Sequence, residues 1–215
     1  MRRSRSGPRV ASVTSEFLDR LPVGRPFDLV RDFLQPWAKA LAETEPDAGK
    51  SLRTGIAETL PSFLANAFLD LLQNPAEFAR LRGDAEMMPR VVEELLRHAG
   101  LVNTLVRTAT ADVDIAGVRI ARGEKVVLKI AEANLDGDRF PEPDRLDASR
   151  RVSGHVALGA GAHSCAGAVL VRMASAIVIG AFAARFSAVE VSGPVEWHRG
   201  ATLSYPVSVP VIALR

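Results

Sequence analysis

Nineteen residues, AGAVLVRMASAIVIGAFAA (Ala166–Ala184), carry a single charge, Arg172. A stretch this long and apolar has two homes, a bilayer or the interior of a folded domain. Its alanines and glycines offer little to offset an arginine, which costs roughly 2.5–3.5 kcal/mol at the centre of a spanning helix. The segment therefore reads as a buried core helix, and the rest of the chain must surround it. With 215 residues, 47% apolar and 24% charged, the chain can do so. No linker-like composition divides it, so residues 1–215 read as one domain.

The formal charge of +2 and a pI near 9.0 are too slight a bias to argue for nucleic acid. One cysteine excludes an intramolecular disulfide and suits a reducing compartment. No apolar run follows the N-terminal arginines of MRRSRSGPR, which argues against a signal peptide. That start reads as a frayed, solvated terminus. The expectation is a cytoplasmic protein without a membrane segment.

The first half has helical period: Val13–Leu21, then Phe27–Ala42 with Pro36 as a kink or break. Asp47 is placed to cap a third helix running to Gln73, with Leu52, Ile56, Leu60, Phe63, Leu64, Ala67 and Leu71 on one side and Pro61 inside. Short helices follow at Ala76–Leu81 and Met87–His98, the second ended by Gly100. Beyond Gly100 the pattern turns to strands: Leu105–Thr110, Val113–Ile115, Val118–Ile120 and Lys125–Ile130. The polar DGDRFPEPDRLDASRR reads as coil, and strands at Val189–Val191 and Leu203–Val211 complete a mainly α fold with a small β part, an α+β chain.

The sole cysteine, Cys165, sits where a glycine loop meets the apolar helix. Gly159 and Gly161 let the backbone turn tightly, and Gly167 removes a side chain just beyond the sulfur. A thiol at a helix N-terminus faces free N–H groups that favour the thiolate, a soft metal ligand. A lone cysteine beside an apolar helix is also commonly a small buried hydrophobe. One thiolate cannot hold a zinc ribbon or an iron–sulfur cluster, but it suffices as the axial ligand of a haem iron. A nucleophilic cysteine is the rival, with His98, His155 or His198 as its base.

The run Leu158-Gly159-Ala160-Gly161-Ala162-His163-Ser164-Cys165-Ala166-Gly167 resembles the cysteine loop of the cytochrome P450 family, F-G-x-G-x-H/R-x-C-x-G, with Leu158 in place of the aromatic. Glu94-Leu95-Leu96-Arg97 resembles the family's E-x-x-R, and Arg139 is placed to complete its Glu/Arg/Arg triad. The resemblance implies a P450-like core holding haem b, with the Cys165 thiolate as axial ligand and His163 and Arg107 at the propionates. It also implies a structural role for the triad, which would hold the coil that carries the cysteine loop. Gly55-Ile56-Ala57-Glu58-Thr59 is similar to the family's A/G-G-x-D/E-T, which gives Glu58 and Thr59 a proton-relay role. An ordinary amphipathic helix accounts for those two residues equally well.

The likeness covers nearly the whole chain, yet the chain is about half the length usual for the family. PVGRPFDLVRDFLQP resembles the run into the D helix, and within about fifteen residues the sequence is already in the I helix. The N-terminal sheet and the E to H helices that roof the distal pocket have no counterpart. A truncated core leaves the haem's distal face open, and apolar surface of that extent implies a homodimer or a covering partner.

The function implied is a haem-thiolate monooxygenase or peroxide-using oxidoreductase acting on a small organic molecule. Electrons would come from a ferredoxin or flavoprotein reductase. Redox-neutral haem chemistry (dehydration, isomerisation or cyclisation) and a non-catalytic helper role stay open.

Overall fold

A computed structural model of the chain describes residues 3–44, 49–82 and 85–215. The helix cap expected at Asp47 lies outside the described residues. The apolar stretch forms α8 (Ala168–Arg185), which buries Ala174, Ser175, Val178, Ile179, Phe182 and Ala183. Those positions repeat at four-residue intervals, so they form one stripe along the helix. By length and composition α8 could cross a membrane. Here its stripe packs against α1 (Arg3–Arg20) and α6 (Met88–His98).

The basic start is not frayed from Arg3 onward. It enters α1, whose Val10 is fully buried in the common core. Five phenylalanines tie that core together. Phe182 lies with its ring centroid 4.9 Å from Phe68, 4.9 Å from Phe186, 6.0 Å from Phe33 and 6.5 Å from Phe78. Edge and offset contacts of this kind add to the burial of each ring.

Two prolines shape the helices in the same way. The segment expected as one helix from Phe27 is a short strand β1 (Pro26–Asp28), a π-helical turn (Leu29–Leu34) and α2 (Gln35–Glu43). The next is α3 (Lys50–Thr54), a π turn (Gly55–Thr59) and α4 (Leu60–Gln73). In each, the residue just before proline reaches back five places: Gln35 N–H to Val30 O, Leu60 N–H to Gly55 O. Pro36 and Pro61 lack an N–H, and their rings crowd the carbonyl four residues earlier, so the preceding turn widens.

After α4 come α5 (Pro75–Arg80) and α6. Next is an antiparallel pair of β2 (Thr104–Thr108) with β5 (Lys125–Lys129), enclosing the hairpin β3 (Val113–Ile115) and β4 (Val118–Ile120). A helical turn not anticipated from the sequence, α7 (Ile130–Asn134), then leads into the coil. The last expected strand is two, β8 (Ser204–Ser208) and β9 (Pro210–Leu214), separated at the fully buried Val209. β8 pairs with β7 (Glu196–Arg199), also unanticipated, while β9 lies between β1 and β6 (Ala188–Val191).

Candidate active site

Asp28, at the end of β1, shows how the chain fixes its turns. Its Oδ1 accepts from the N–H groups of Val30 and Arg31 at 2.9 and 3.0 Å, and its Oδ2 from Ser208 Oγ at 2.5 Å. Burial pushes this carboxyl up, and those donors more than offset it, so its pKa is lowered. The cysteine loop is fixed by similar means, with more at stake.

Gly159 (φ +71°) and Gly161 (φ +67°) occupy the left-handed region, and a Cβ on Gly159 would stand 3.2 Å from His163 O. Cys165 N–H donates to Leu158 O at 2.8 Å and closes the loop; Ala168 N–H and Val171 N–H then begin α8 on Cys165 O and Gly167 O. Cys165 is exposed and opens into a cavity of about 750 Å³. Leu52, Ile56, Leu60, Phe63, Leu105 and Leu170 give that cavity an apolar wall.

Of the residues singled out from the sequence, Thr59, Leu158, Gly159, His163, Cys165 and Gly167 line this cavity. Glu58, Gly161 and Arg107 are not on its wall. Arg107 stands on β2 two residues from Leu105, hence on the same face of the strand, and its Nη1 donates to Val106 O at 3.0 Å. Glu58 is exposed on the π turn.

Glu94 and Arg97 form a fully buried pair: Arg97 Nε and Nη2 each lie 2.8 Å from one Glu94 oxygen. The third member is not Arg139. Arg150 Nε donates to Glu94 Oε1 at 3.0 Å, whereas Arg139 donates to Ser153 O and stacks on Phe140. Gly154 (φ +80°), with no side chain, leaves room for the Arg139 guanidinium. Three arginines follow Arg139 in RLDASRR, and only the folded path of the coil distinguishes which of them reaches α6.

The network extends to the cysteine loop through a residue the sequence did not reveal. Arg97 Nη1 donates to Asn134 O at 3.0 Å, and the buried Asn134 Oδ1 accepts from Val156 N–H at 2.8 Å. Asn134 stands in an ordinary polar context in IAEAN, which gives no hint of this role. The loop is thus hung on α6 through α7.

The single thiol, the glycine cradle around it and the apolar wall are a donor set and a shape that a flat, thiolate-ligated macrocycle would fill. A family model described as Cytochrome P450 matches residues 58–198.

This chain belongs to the cytochrome P450 family.

Its P450 relatives include the cytochrome P450 CYP199A2 of Rhodopseudomonas palustris, 37% identical over 79% of this chain and 41% of the relative. Nocardicin C N-oxygenase of Nocardia uniformis is 37% identical over 76% of this chain and 42% of that protein. The chain thus spans about two fifths of the length of these curated relatives. Among solved structures, the P450 CYP109Q5 from Chondromyces apiculatus superposes with a TM-score of 0.89, at 22% identity, over all of this chain and 74% of that one. The α+β fold read from the sequence is the P450 fold.

Proposed function

We propose that the protein is a haem-thiolate oxidoreductase, a monooxygenase or peroxide-using enzyme that acts on a small organic molecule. The observation that carries this reading is the opening of the only thiol, Cys165, into an apolar cavity that Thr59 of the π turn also lines. Cys165 would hold haem b through its thiolate, with Leu158, Gly159, Gly161 and Gly167 shaping the loop around the sulfur. His163 and Arg107 would face the propionates. Bound haem supplies a redox centre whose thiolate ligand favours oxidant activation.

The chain's own residues would do the rest. The apolar wall excludes water, and the Thr59 hydroxyl can hold or pass a proton at its Oγ1. Glu94, Arg97 and Arg150 keep the coil beneath the loop in place. Redox-neutral chemistry gains support from Glu58, which lies off the wall and so leaves Thr59 without its acid partner there. A ferredoxin or flavoprotein reductase would supply electrons in the cytoplasm. A second copy or a partner would cover the open face, which the exposed Leu128, paired across the strands with the cavity-lining Leu105, supports.

The test is the ferrous–CO spectrum after hemin reconstitution. The red-shifted Soret band of thiolate ligation is expected for the wild type and its loss for Cys165→Ser. A colourless wild-type protein, or identical spectra for the two, would overturn the reading.

A further inference from the structure

Glu93 stands beside the triad glutamate but does not join that network. Its carboxylate faces the other way, toward the two flanks of the cysteine loop. His155, three residues before Leu158, puts Nε2 2.9 Å from Glu93 Oε2. Its Nδ1 accepts from Ala157 N–H at 3.3 Å, so Nε2 carries the ring's proton and donates it to Glu93. From the other flank, seven residues after Cys165, Arg172 places Nε 2.5 Å from Oε1 and Nη2 3.0 Å from Oε2. This is a two-pronged pairing of the kind that fixes both distance and plane.

One carboxylate therefore gathers both ends of the segment that carries the sulfur and fastens them to α6. Burial pushes the Glu93 carboxyl up, and the donors His155 and Arg172 more than reverse this, holding it at about 2. The clasp is thus charged across the neutral range.

We propose that Glu93 is a positioning residue for Cys165, fixing the sulfur by clasping His155 and Arg172 across the two flanks of its loop. The inference rests on the haem-thiolate reading for its purpose, but not for its test. Because Cys165 is the only cysteine, iodoacetamide alkylation of the purified full-length chain reports on that sulfur alone. Rates are compared near neutral pH for wild type, Glu93→Gln, Glu93→Asp, Arg172→Gln and the Glu93→Gln/Arg172→Gln pair, with far-UV circular dichroism as the check on folding.

Glu93→Gln weakens the hold on both flanks and loosens the loop around the sulfur, so alkylation rises by about threefold or more. Glu93→Asp restores most of the wild-type rate. In the Arg172→Gln background the Glu93 substitution adds less than it does in the wild type, because one side of the clasp is already open. A Glu93→Gln rate equal to wild type, or fully multiplicative effects in the pair, overturns the proposal. Should Glu93→Gln fail to fold, Arg172→Gln decides it, and a wild-type rate there overturns the proposal. Failure of the wild type to take up hemin would remove the haem-thiolate reading and leave this result standing; unchanged alkylation would remove the clasp and leave that reading intact.

Discussion

Arg150 Nε donates to Glu94 Oε1 across 3.0 Å, joining the end of the coil to the middle of α6. Arg150 also donates to the carbonyls of Pro141, Glu142 and Arg145, so one guanidinium gathers several turns of coil onto a buried carboxylate. Breaking a fully buried ion pair costs about 3–5 kcal/mol, because a charge is left without a partner. Arg97→Ala should lose about that much in urea denaturation. Arg150→Ala should lose about 2–3 kcal/mol, the scale of a hydrogen bond to a charged group. Arg139→Ala, which gives up one carbonyl and a ring contact, should lose about 1 kcal/mol or less. An Arg139 variant as unstable as the Arg150 variant would contradict this assignment.

The two loop glycines should not be equivalent. Gly159→Ala meets both a left-handed backbone and a carbonyl 3.2 Å from the new Cβ, whereas Gly161→Ala meets only the backbone penalty, with open space around it. The backbone penalty is about 1–2 kcal/mol for a residue with a Cβ. Thermal unfolding should show Gly159→Ala to be the worse of the two, and hemin titration should show a weaker complex for it.

His98 predicts a pH dependence. Its Nδ1 lies 2.6 Å from Asp70 Oδ2 and its Nε2 2.8 Å from Asp144 O, so the doubly protonated ring satisfies two acceptors at once. Burial lowers its pKa; the Asp70 carboxylate and the Asp144 carbonyl outweigh that and the opposing charge of Arg97, and the net value is raised above 6.5. A raised pKa stabilises the folded state fully below the unfolded value, and the gain disappears as pH rises through the folded value. The stability difference between wild type and His98→Gln should therefore be greatest below pH 6.5 and shrink toward alkaline pH. A difference that is flat with pH would refute the pairing.

In the cavity lining, Thr59→Ala should lower oxygen-dependent turnover by about 10²-fold, the lower end of what a positioned proton donor contributes. Glu58→Gln, off the cavity wall, should change it by less. If both variants keep wild-type turnover in a reconstituted oxygen assay, neither relays a proton. If a rearrangement without net oxidation is instead detected and spared, the redox-neutral reading gains.

The helices and the cysteine loop could be read from the chain because their causes are local. Gly159 and Gly161 dictate the turn, the run from Ala166 dictates a core helix, and Pro36 marks a break. What could not be read depends on distant partners. Nothing in IAEAN shows that Asn134 will meet Val156, and nothing in RLDASRR selects Arg150 over its neighbours. The π turns were half legible: Pro61 announces a disturbance, but the five-residue reach of Leu60 emerges only from the folded backbone. Charged, solvated termini and an amphipathic α1 look alike until Val10 is seen to find a core.

β9 follows both of its neighbours in the chain and yet runs between them. The three-stranded sheet therefore cannot close until Pro210–Leu214 is in place, and joining Pro26 to Ile212 bridges more than 180 residues of sequence, the kind of long-range pairing that slows folding.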